Sequence, residues 1–244
     1  MALEETVLDG KNMTNLLKAN WDISCASYRK LPIGTANCFT VNDGSNNFFL
    51  KEYQSYIEDC DIIREANILE KLKNYEISST DFIETVSREK MVKYRGHRFV
   101  LQKYMSGQSY GYNDFPEEML PQMAVMLAKI HIALKDMELP VDMDAAWVNG
   151  DAVSKYDNIL EVLEQHREDS LYKQIKEDLL YKRTVLQKNQ DIFRRYFEGI
   201  TYSPSHGDYQ GCQIIGENNR IKAVIDFTSA RKLPVVWELM RSFV

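Results

Sequence analysis

Two carboxylates and their immediate neighbours are the part of this 244-residue chain whose types and spacing could do chemistry. They lie in Ser205-His206-Gly207-Asp208-Tyr209-Gln210-Gly211-Cys212-Gln213 and in Ala223-Val224-Ile225-Asp226-Phe227. Each stands beside an apolar, strand-like run: Ile214-Ile215 follows Asp208, and Ala223-Val224-Ile225 precedes Asp226. Between them Gly216-Glu217-Asn218-Asn219-Arg220 reads as a hairpin turn, because Gly and Asn tolerate the positive φ that tight turns require. A hairpin brings both carboxylates to the same end of one ribbon. One carboxylate that accepts a hydroxyl proton and a second that holds Mg²⁺ on a nucleotide is the arrangement phosphoryl transfer needs. Either motif alone carries little, since His-Gly-Asp arises by chance and an isolated Asp commonly caps a turn or a helix.

A cation and a third carboxylate extend this constellation. In Phe49-Leu50-Lys51-Glu52-Tyr53, strand alternation puts Lys51 on the face shared by Phe49 and Tyr53, an awkward place for an ammonium unless an anion lies opposite. Across 58–73, Ile62, Leu69 and Leu72 form one helical stripe, and Glu65 falls within it. Taken singly, each reads better as a snorkelling or solvated edge charge. Together, on apolar faces, they point to a Lys51–Glu65 ion pair.

The elements that must position these groups follow from the pattern. Residues 1–24 read as a leading helix with Leu16, Leu17 and Trp21 as its apolar contacts. Strands follow at 29–31, 38–41 and 47–51, with Asp43-Gly44 as the hairpin signal. Gly34, in the first strand-to-strand turn, would let backbone N–H groups approach a phosphate; with a single glycine, an ordinary hairpin is an equal reading. Strands at 89–94 and 98–104 flank the Arg95-Gly96-His97 turn, and Met105-Ser106-Gly107 breaks the pattern. The chain thus divides into 1–105, a small antiparallel sheet with one key helix, and 106–244, mainly helical. Asp114-Phe115-Pro116-Glu117 resembles a capping box ahead of a helix whose stripe is Met119, Met123, Met126, Leu127, Ile130 and Leu134. His131 borders that stripe and reads as a core or rim residue. Further helices fill 155–198, with Ile159, Leu160, Leu163, Leu171, Ile175, Leu179, Ile192, Phe193 and Tyr196 facing inward.

Composition excludes several classes. A hydrophobic content of 44% with 27% charged residues is that of a folded, non-membrane protein, and no run reaches the length of a membrane span. A net charge of −6 without a basic cluster argues against nucleic acid. Met1-Ala2-Leu3-Glu4-Glu5 lacks a signal-peptide start, so a cytosolic location is expected. Cys25, Cys38, Cys60 and Cys212 form no CxxC pair, so neither a zinc site nor a disulfide framework is indicated. Residues 136–164 carry eight acids against Lys155, with Trp147 among them. They read as a solvated face or, more sharply, as an acidic wall for a cationic acceptor.

In their order these parts resemble the aminoglycoside phosphotransferase and choline kinase group of small-molecule kinases, relatives of the protein kinases, from roughly Tyr28 to Val244. The resemblance implies a two-lobed α+β protein-kinase-like fold with ATP and Mg²⁺ as cofactors. By its motifs, Gly34 and Thr35 through Asn37 are the nucleotide loop, Lys51 reaches the α- and β-phosphates, and Glu65 is its helix partner. Gln102, Lys103 and Tyr104 form the hinge whose backbone meets adenine. Asp208 accepts or orients the acceptor hydroxyl, His206 supports the loop, and Asp226 is the principal Mg²⁺ ligand. Trp237-Glu238-Leu239 stands where the group has Trp-Asp-Leu, whose acid braces the catalytic loop.

Three departures accompany the resemblance. Gln213 stands where the group has Asn: its amide oxygen still suits Mg²⁺, but the extra methylene displaces that ion or leaves it unbound. Glu238 replaces Asp. The chain stops at Val244 where related enzymes continue with helices that build most of the acceptor site, so a truncated product or an incomplete acceptor pocket is expected. The implied function is transfer of the γ-phosphate of ATP to a hydroxyl of a small molecule such as an aminoglycoside, an amino alcohol or a similar metabolite. The alternative is a catalytically impaired nucleotide-binding or interaction module. A protein kinase is disfavoured, since His-Gly-Asp lacks the His-Arg-Asp pattern and no Ala-Pro-Glu follows Asp226.

Overall fold

A computed structural model describes residues 6, 8–32, 36–111, 113–142, 152–189, 191, 195–196 and 198–242. The chain packs as two compact units, one of Met1–Asp136, His206–Ala230 and Arg241–Val244, the other of Met137–Ser205 and Arg231–Met240. The division drawn from the sequence at 105/106 falls just after the last strand of the N-terminal sheet, which ends at Lys103. Packing divides the chain differently, because the loops around Asp208 and Asp226 group with the N-terminal sheet and its helices.

In the first unit, β1 (Ser27–Leu31), β2 (Asn37–Asn42), β3 (Asn47–Tyr53), β4 (Phe82–Ile83), β5 (Val92–Tyr94) and β6 (His97–Lys103) form an antiparallel sheet in the order β1-β2-β3-β6-β4, with β5 also on β6. The two-residue β4 carries no sequence signal of its own. Helix α1 (Gly10–Trp21), capped by Asp9 Oδ1 accepting from the Asn12 N–H at 2.7 Å, covers one face. There Met13, Leu16, Leu17 and Trp21 pack with Phe39, Val41, Leu50, Phe99 and Leu101. Each fully buried leucine in that layer contributes roughly 2 kcal/mol. Helix α2 (Asp59–Lys73) opens with a Glu58/Asp61 capping box and buries Ile62, Glu65, Leu69 and Leu72. Tyr53 and Val100 meet Ile62 on the second face of the sheet. Strand β3 is therefore covered on both sides, and its inner residues Leu50, Lys51, Glu52 and Tyr53 are all buried.

The expected hairpin is present as β9 (Ile214–Glu217) and β10 (Arg220–Val224), turning through Asn218 and Asn219 at φ 53° and 57°. Strand β7 (Gln108–Ser109) adds to β9. The capping box expected at Asp114 is not formed. A 3₁₀ turn at Glu117–Met119, entered from the extended Pro116, leads instead into α3 (Leu120–Leu134), and Pro121 sits in the first turn of that helix, where its missing N–H costs nothing. The α3 stripe of Met123, Leu127, Ile130 and Leu134 is buried as its spacing predicts. His131 is half-buried with Nε2 enclosed and unpartnered, and burial lowers its pKa.

The second unit holds β8 (Tyr202–Ser205) paired with β11 (Arg231–Pro234), α4 (Ala152–Leu163), α5 (Tyr172–Lys188) and most of α6 (Val235–Arg241). The inward stripe expected on its helices is only partly covered: Leu160, Leu163 and Leu179 are half-buried, Ile159, Leu171, Ile175 and Tyr196 are exposed, and no described residue of α5 is fully buried. Two amphipathic helices packed mainly on each other leave much of each stripe in water. Ile192 and Phe193 lie outside the described residues. Among the described residues, no helix is long and apolar enough to cross a membrane.

Candidate active site

The loop carrying Asp208 is held against the turn carrying Asp226 by backbone contact. Gly207 has φ 86°, and a Cβ on it would sit 2.0 Å from the Ser229 carbonyl oxygen, so only glycine lets the two segments touch. His206 joins them: its Nε2 donates to the Ile225 carbonyl at 3.0 Å, and its Nδ1 accepts the Asp208 N–H at 3.3 Å. Those partners assign a neutral ring protonated on Nε2. Full burial lowers its pKa, against the opposing pull of the Ile225 carbonyl and of both carboxylates. The ring packs on Phe227 with centroids 4.3 Å apart. Tyr209, also fully buried, donates to the Met123 carbonyl at 2.9 Å and anchors the loop to α3.

Asp226 adopts a left-handed backbone (φ 63°, ψ 68°) ahead of the 3₁₀ turn Phe227–Ser229. This geometry aims its carboxylate at β3, where Lys51 Nζ meets Oδ1 at 2.9 Å. The sequence predicts a Lys51–Glu65 pair; the structure interposes Thr228. Lys51 donates to Thr228 Oγ1 at 3.0 Å, and that hydroxyl lies 2.7 Å from Glu65 Oε2 and 2.8 Å from Asp226 Oδ1. Glu65 Oε2 also accepts from the Tyr53 hydroxyl at 2.8 Å, while its Oε1 is buried without a partner. Burial alone would lower Lys51, but the charges of Asp226 and Glu65 outweigh it and raise its pKa. Burial alone would raise Asp226, but Lys51 and Thr228 bring it down to about 2. Glu65, wholly enclosed, is shifted upward by burial despite Lys51.

Asp208 is surrounded by donors. Its Oδ1 accepts from Gln210 Nε2 at 2.9 Å and from Arg241 Nη2 and Nε at 2.6 and 3.0 Å. Its Oδ2 accepts from Gln213 Nε2 at 3.1 Å. Gln213, expected as a metal ligand through its amide oxygen, thus gives its Nε2 to Asp208, and its Oε1 carries no partner among the described residues; its backbone carbonyl accepts the Ile225 N–H at 2.9 Å. Arg241 and Gln210 are not legible from spacing as partners of Asp208. The only sequence signal for Arg241 is a lone cation in the last turn of α6. Glu238 is fully buried.

The expected hinge is mostly committed to the sheet. Gln102 is buried, and the Lys103 backbone already donates to the Asp81 carbonyl and accepts from Thr80 Oγ1, both at 2.8 Å. Tyr104 is exposed at the strand end. Gly34 and Thr35 lie outside the described residues, as do Trp147 and the acids at 144 and 151. Two acids of the 136–164 segment are paired locally, Asp157 with Arg183 and Glu164 with Arg167 and Lys176, which favours the solvated-face reading for them.

Solved structures of similar shape share this architecture. Spectinomycin phosphotransferase APH(9)-Ia, in complex with ADP and spectinomycin, superposes with a TM-score of 0.69 at 16% identity over 94% of this chain and 71% of that one. Amicoumacin kinase hAmiN, in complex with AMP-PNP, Ca²⁺ and Ami, gives 0.67 at 11% identity over 96% and 68%. An aminoglycoside phosphotransferase from Alicyclobacillus acidocaldarius gives 0.64 at 16% identity over 98% and 71%. This chain has the aminoglycoside-phosphotransferase fold. No family model matches the chain, and no curated protein matches it.

Within that aminoglycoside-phosphotransferase fold, the donor set suits a metal shared with a nucleotide. No group of three or more His, Cys, Asp or Glu side chains forms a metal cluster among the described residues. Mg²⁺ instead commonly takes one or two carboxylates and completes its shell with phosphates and water. Asp226 fits: its side chain is 42% exposed, and its Oδ2 has no partner among the described residues.

Proposed function

We propose that this chain is a small-molecule kinase that transfers the γ-phosphate of ATP to a hydroxyl group. The observation that carries the reading is the convergence, within one compact unit, of Lys51, Asp226 and the His206-braced Asp208. Lys51 would bind the α- and β-phosphates. Asp226 would hold Mg²⁺, which when bound neutralises charge developing on the phosphate oxygens. Asp208 orients the acceptor hydroxyl and takes its proton as the new P–O bond forms and ADP departs. The base would meet the chain at Tyr104 and Met105, whose N–H groups carry no partner among the described residues.

Binding partners under this reading are a nucleotide and a small hydroxyl acceptor. Two of the proteins of similar fold named above, the spectinomycin phosphotransferase and the amicoumacin kinase, were crystallised with a nucleotide together with spectinomycin or Ami, which supports that substrate class. The deciding test is Asp208→Asn, assayed for transfer to a panel of aminoglycosides and amino alcohols while ATP binding is followed by calorimetry. Transfer is expected to vanish with ATP affinity within about threefold of wild type, because Asp208 touches the hydroxyl and not the nucleotide. Retained turnover would sink the assignment. A second reading, a nucleotide-binding module without transfer, draws on Gln213 and Arg241 both engaging Asp208; it predicts ATP binding with no turnover in the wild type.

A further inference from the structure

The hydroxyl of Thr228 stands between the metal-holding carboxylate and α2, and its hydrogen-bond capacity is limited. A threonine hydroxyl has one hydrogen and two lone pairs. One lone pair accepts from Lys51 Nζ at 3.0 Å. The single hydrogen has two anionic candidates at nearly equal range, Glu65 Oε2 at 2.7 Å and Asp226 Oδ1 at 2.8 Å. Both cannot be served at once. Glu65 needs a donor more acutely, since it is fully buried and one of its oxygens has no partner.

We propose that Thr228 is the positioning residue that couples Asp226 to Glu65, in the place a direct Lys51–Glu65 contact would occupy. A cation on Asp226 makes its Oδ1 a poorer acceptor, so the hydroxyl hydrogen passes to Glu65. An oxygen donating to a carboxylate is in turn a better acceptor. Lys51 is therefore kept in position by Thr228 while its attraction to Asp226 weakens, with its remaining hydrogens free for phosphate. The inference rests on the nucleotide site described above and deepens it. It makes Thr228, rather than a Lys51–Glu65 ion pair, the link between α2 and the metal carboxylate.

Thr228→Val, which removes the hydroxyl and nearly keeps the shape, and Thr228→Ser, which restores it, test this by calorimetric ATP titration with and without Mg²⁺. With Mg²⁺, the valine variant is expected to bind ATP about tenfold more weakly, the scale of a hydrogen bond to a charged group. Without Mg²⁺ it is expected to stay within about twofold of wild type, and serine to recover to within about threefold with the metal. A purely structural role would weaken both titrations alike; that result, or unchanged binding in the valine variant, overturns the proposal. A second measurement needs no ligand: a Thr228→Val and Glu65→Gln double-mutant cycle on denaturant unfolding. About fivefold coupling in the unfolding constant is expected of directly bonded residues, and additive effects overturn the link. A wild type that binds no Mg²⁺-ATP rejects the phosphotransferase reading instead, and the cycle alone then decides for or against the Thr228–Glu65 link.

Discussion

Arg241 grips one oxygen of Asp208 with two nitrogens, Nη2 at 2.6 Å and Nε at 3.0 Å, both on Oδ1. Gln210 bonds the same oxygen, so Oδ2, with only Gln213 upon it among the described residues, is the face that would be left for the proposed acceptor hydroxyl. Arg241 thereby sets the rotation of the carboxylate. Arg241→Ala should lower kcat by about 10–100-fold with the KM for ATP nearly unchanged, since charge-assisted bonds of this kind are worth about 1.5–3 kcal/mol. Arg241→Lys should recover only part of the loss, because an ammonium cannot present two nitrogens to one oxygen. Faster turnover in the alanine variant would mean that Arg241 obstructs Asp208.

Lys51 and Asp226 should respond unequally to neutralisation. Asp226→Asn leaves an ammonium that is only 8% exposed with neutral acceptors in place of its bonded carboxylate, whereas Lys51→Met replaces that ammonium with an apolar chain beside a carboxylate that water can still reach. Breaking a wholly buried pair costs about 3–5 kcal/mol. With Asp226 42% exposed, solvent screening reduces the expected loss to about 1–2 kcal/mol for Asp226→Asn, and to less for Lys51→Met. Urea unfolding of both variants checks the order, and calorimetry should show the Mg²⁺ dependence of ATP binding lost in Asp226→Asn.

Among the described glycines, Gly207 is the one where an added Cβ would come nearest another atom. An alanine there must hold φ near 86° and place its Cβ 2.0 Å from the Ser229 carbonyl oxygen. The left-handed conformation alone costs roughly 1–2 kcal/mol, and relieving the overlap must part the two loops. Gly207→Ala should lose at least about 2 kcal/mol of stability and abolish transfer. Gly44 is the control: its φ is 101°, but a Cβ there meets nothing within 4 Å, so Gly44→Ala should cost only the conformational part.

Acidification should loosen the same junction. Burial holds His206 below its ordinary value of 6.5, so the folded protein keeps it neutral while the unfolded chain takes up a proton. Stability from this group is present above about pH 6.5 and falls as pH drops below it, by at most about 1.4 kcal/mol per pH unit. His131 is shifted downward by burial too and adds to the loss. Asp226, lowered from 3.8 to about 2, contributes stability that is lost only as pH falls between those values. Urea midpoints at pH 7.5, 6.5 and 5.5 should therefore decline, with His131→Gln removing part of the slope. A flat profile would contradict the neutral His206 that links Asp208 to Ile225.

What the sequence by itself determined is what depends on neighbours along the chain. Alternation in β3 put Lys51 on an inner face, the 3.6-residue period put Glu65 on the buried stripe of α2, and Asn218-Asn219 marked the turn joining β9 to β10. Those are local rules, and they put the loops carrying the two carboxylates at the same end of one hairpin, where Val224 pairs with Ile214. Which charge each residue meets was decided by the tertiary structure. Lys51 pairs with a carboxylate 175 positions away instead of the helix residue nearest in chain order, because the left-handed turn at Asp226 carries Oδ1 and Thr228 into the gap. Arg241 on Asp208, the Nε2 of Gln213 on the same carboxylate, and the engaged backbone of Lys103 have the same origin. Periodicity fixes the face of an element a side chain occupies. A hydrogen-bond partner is fixed by ångström-scale distances between elements, which emerge only when the packed layers settle.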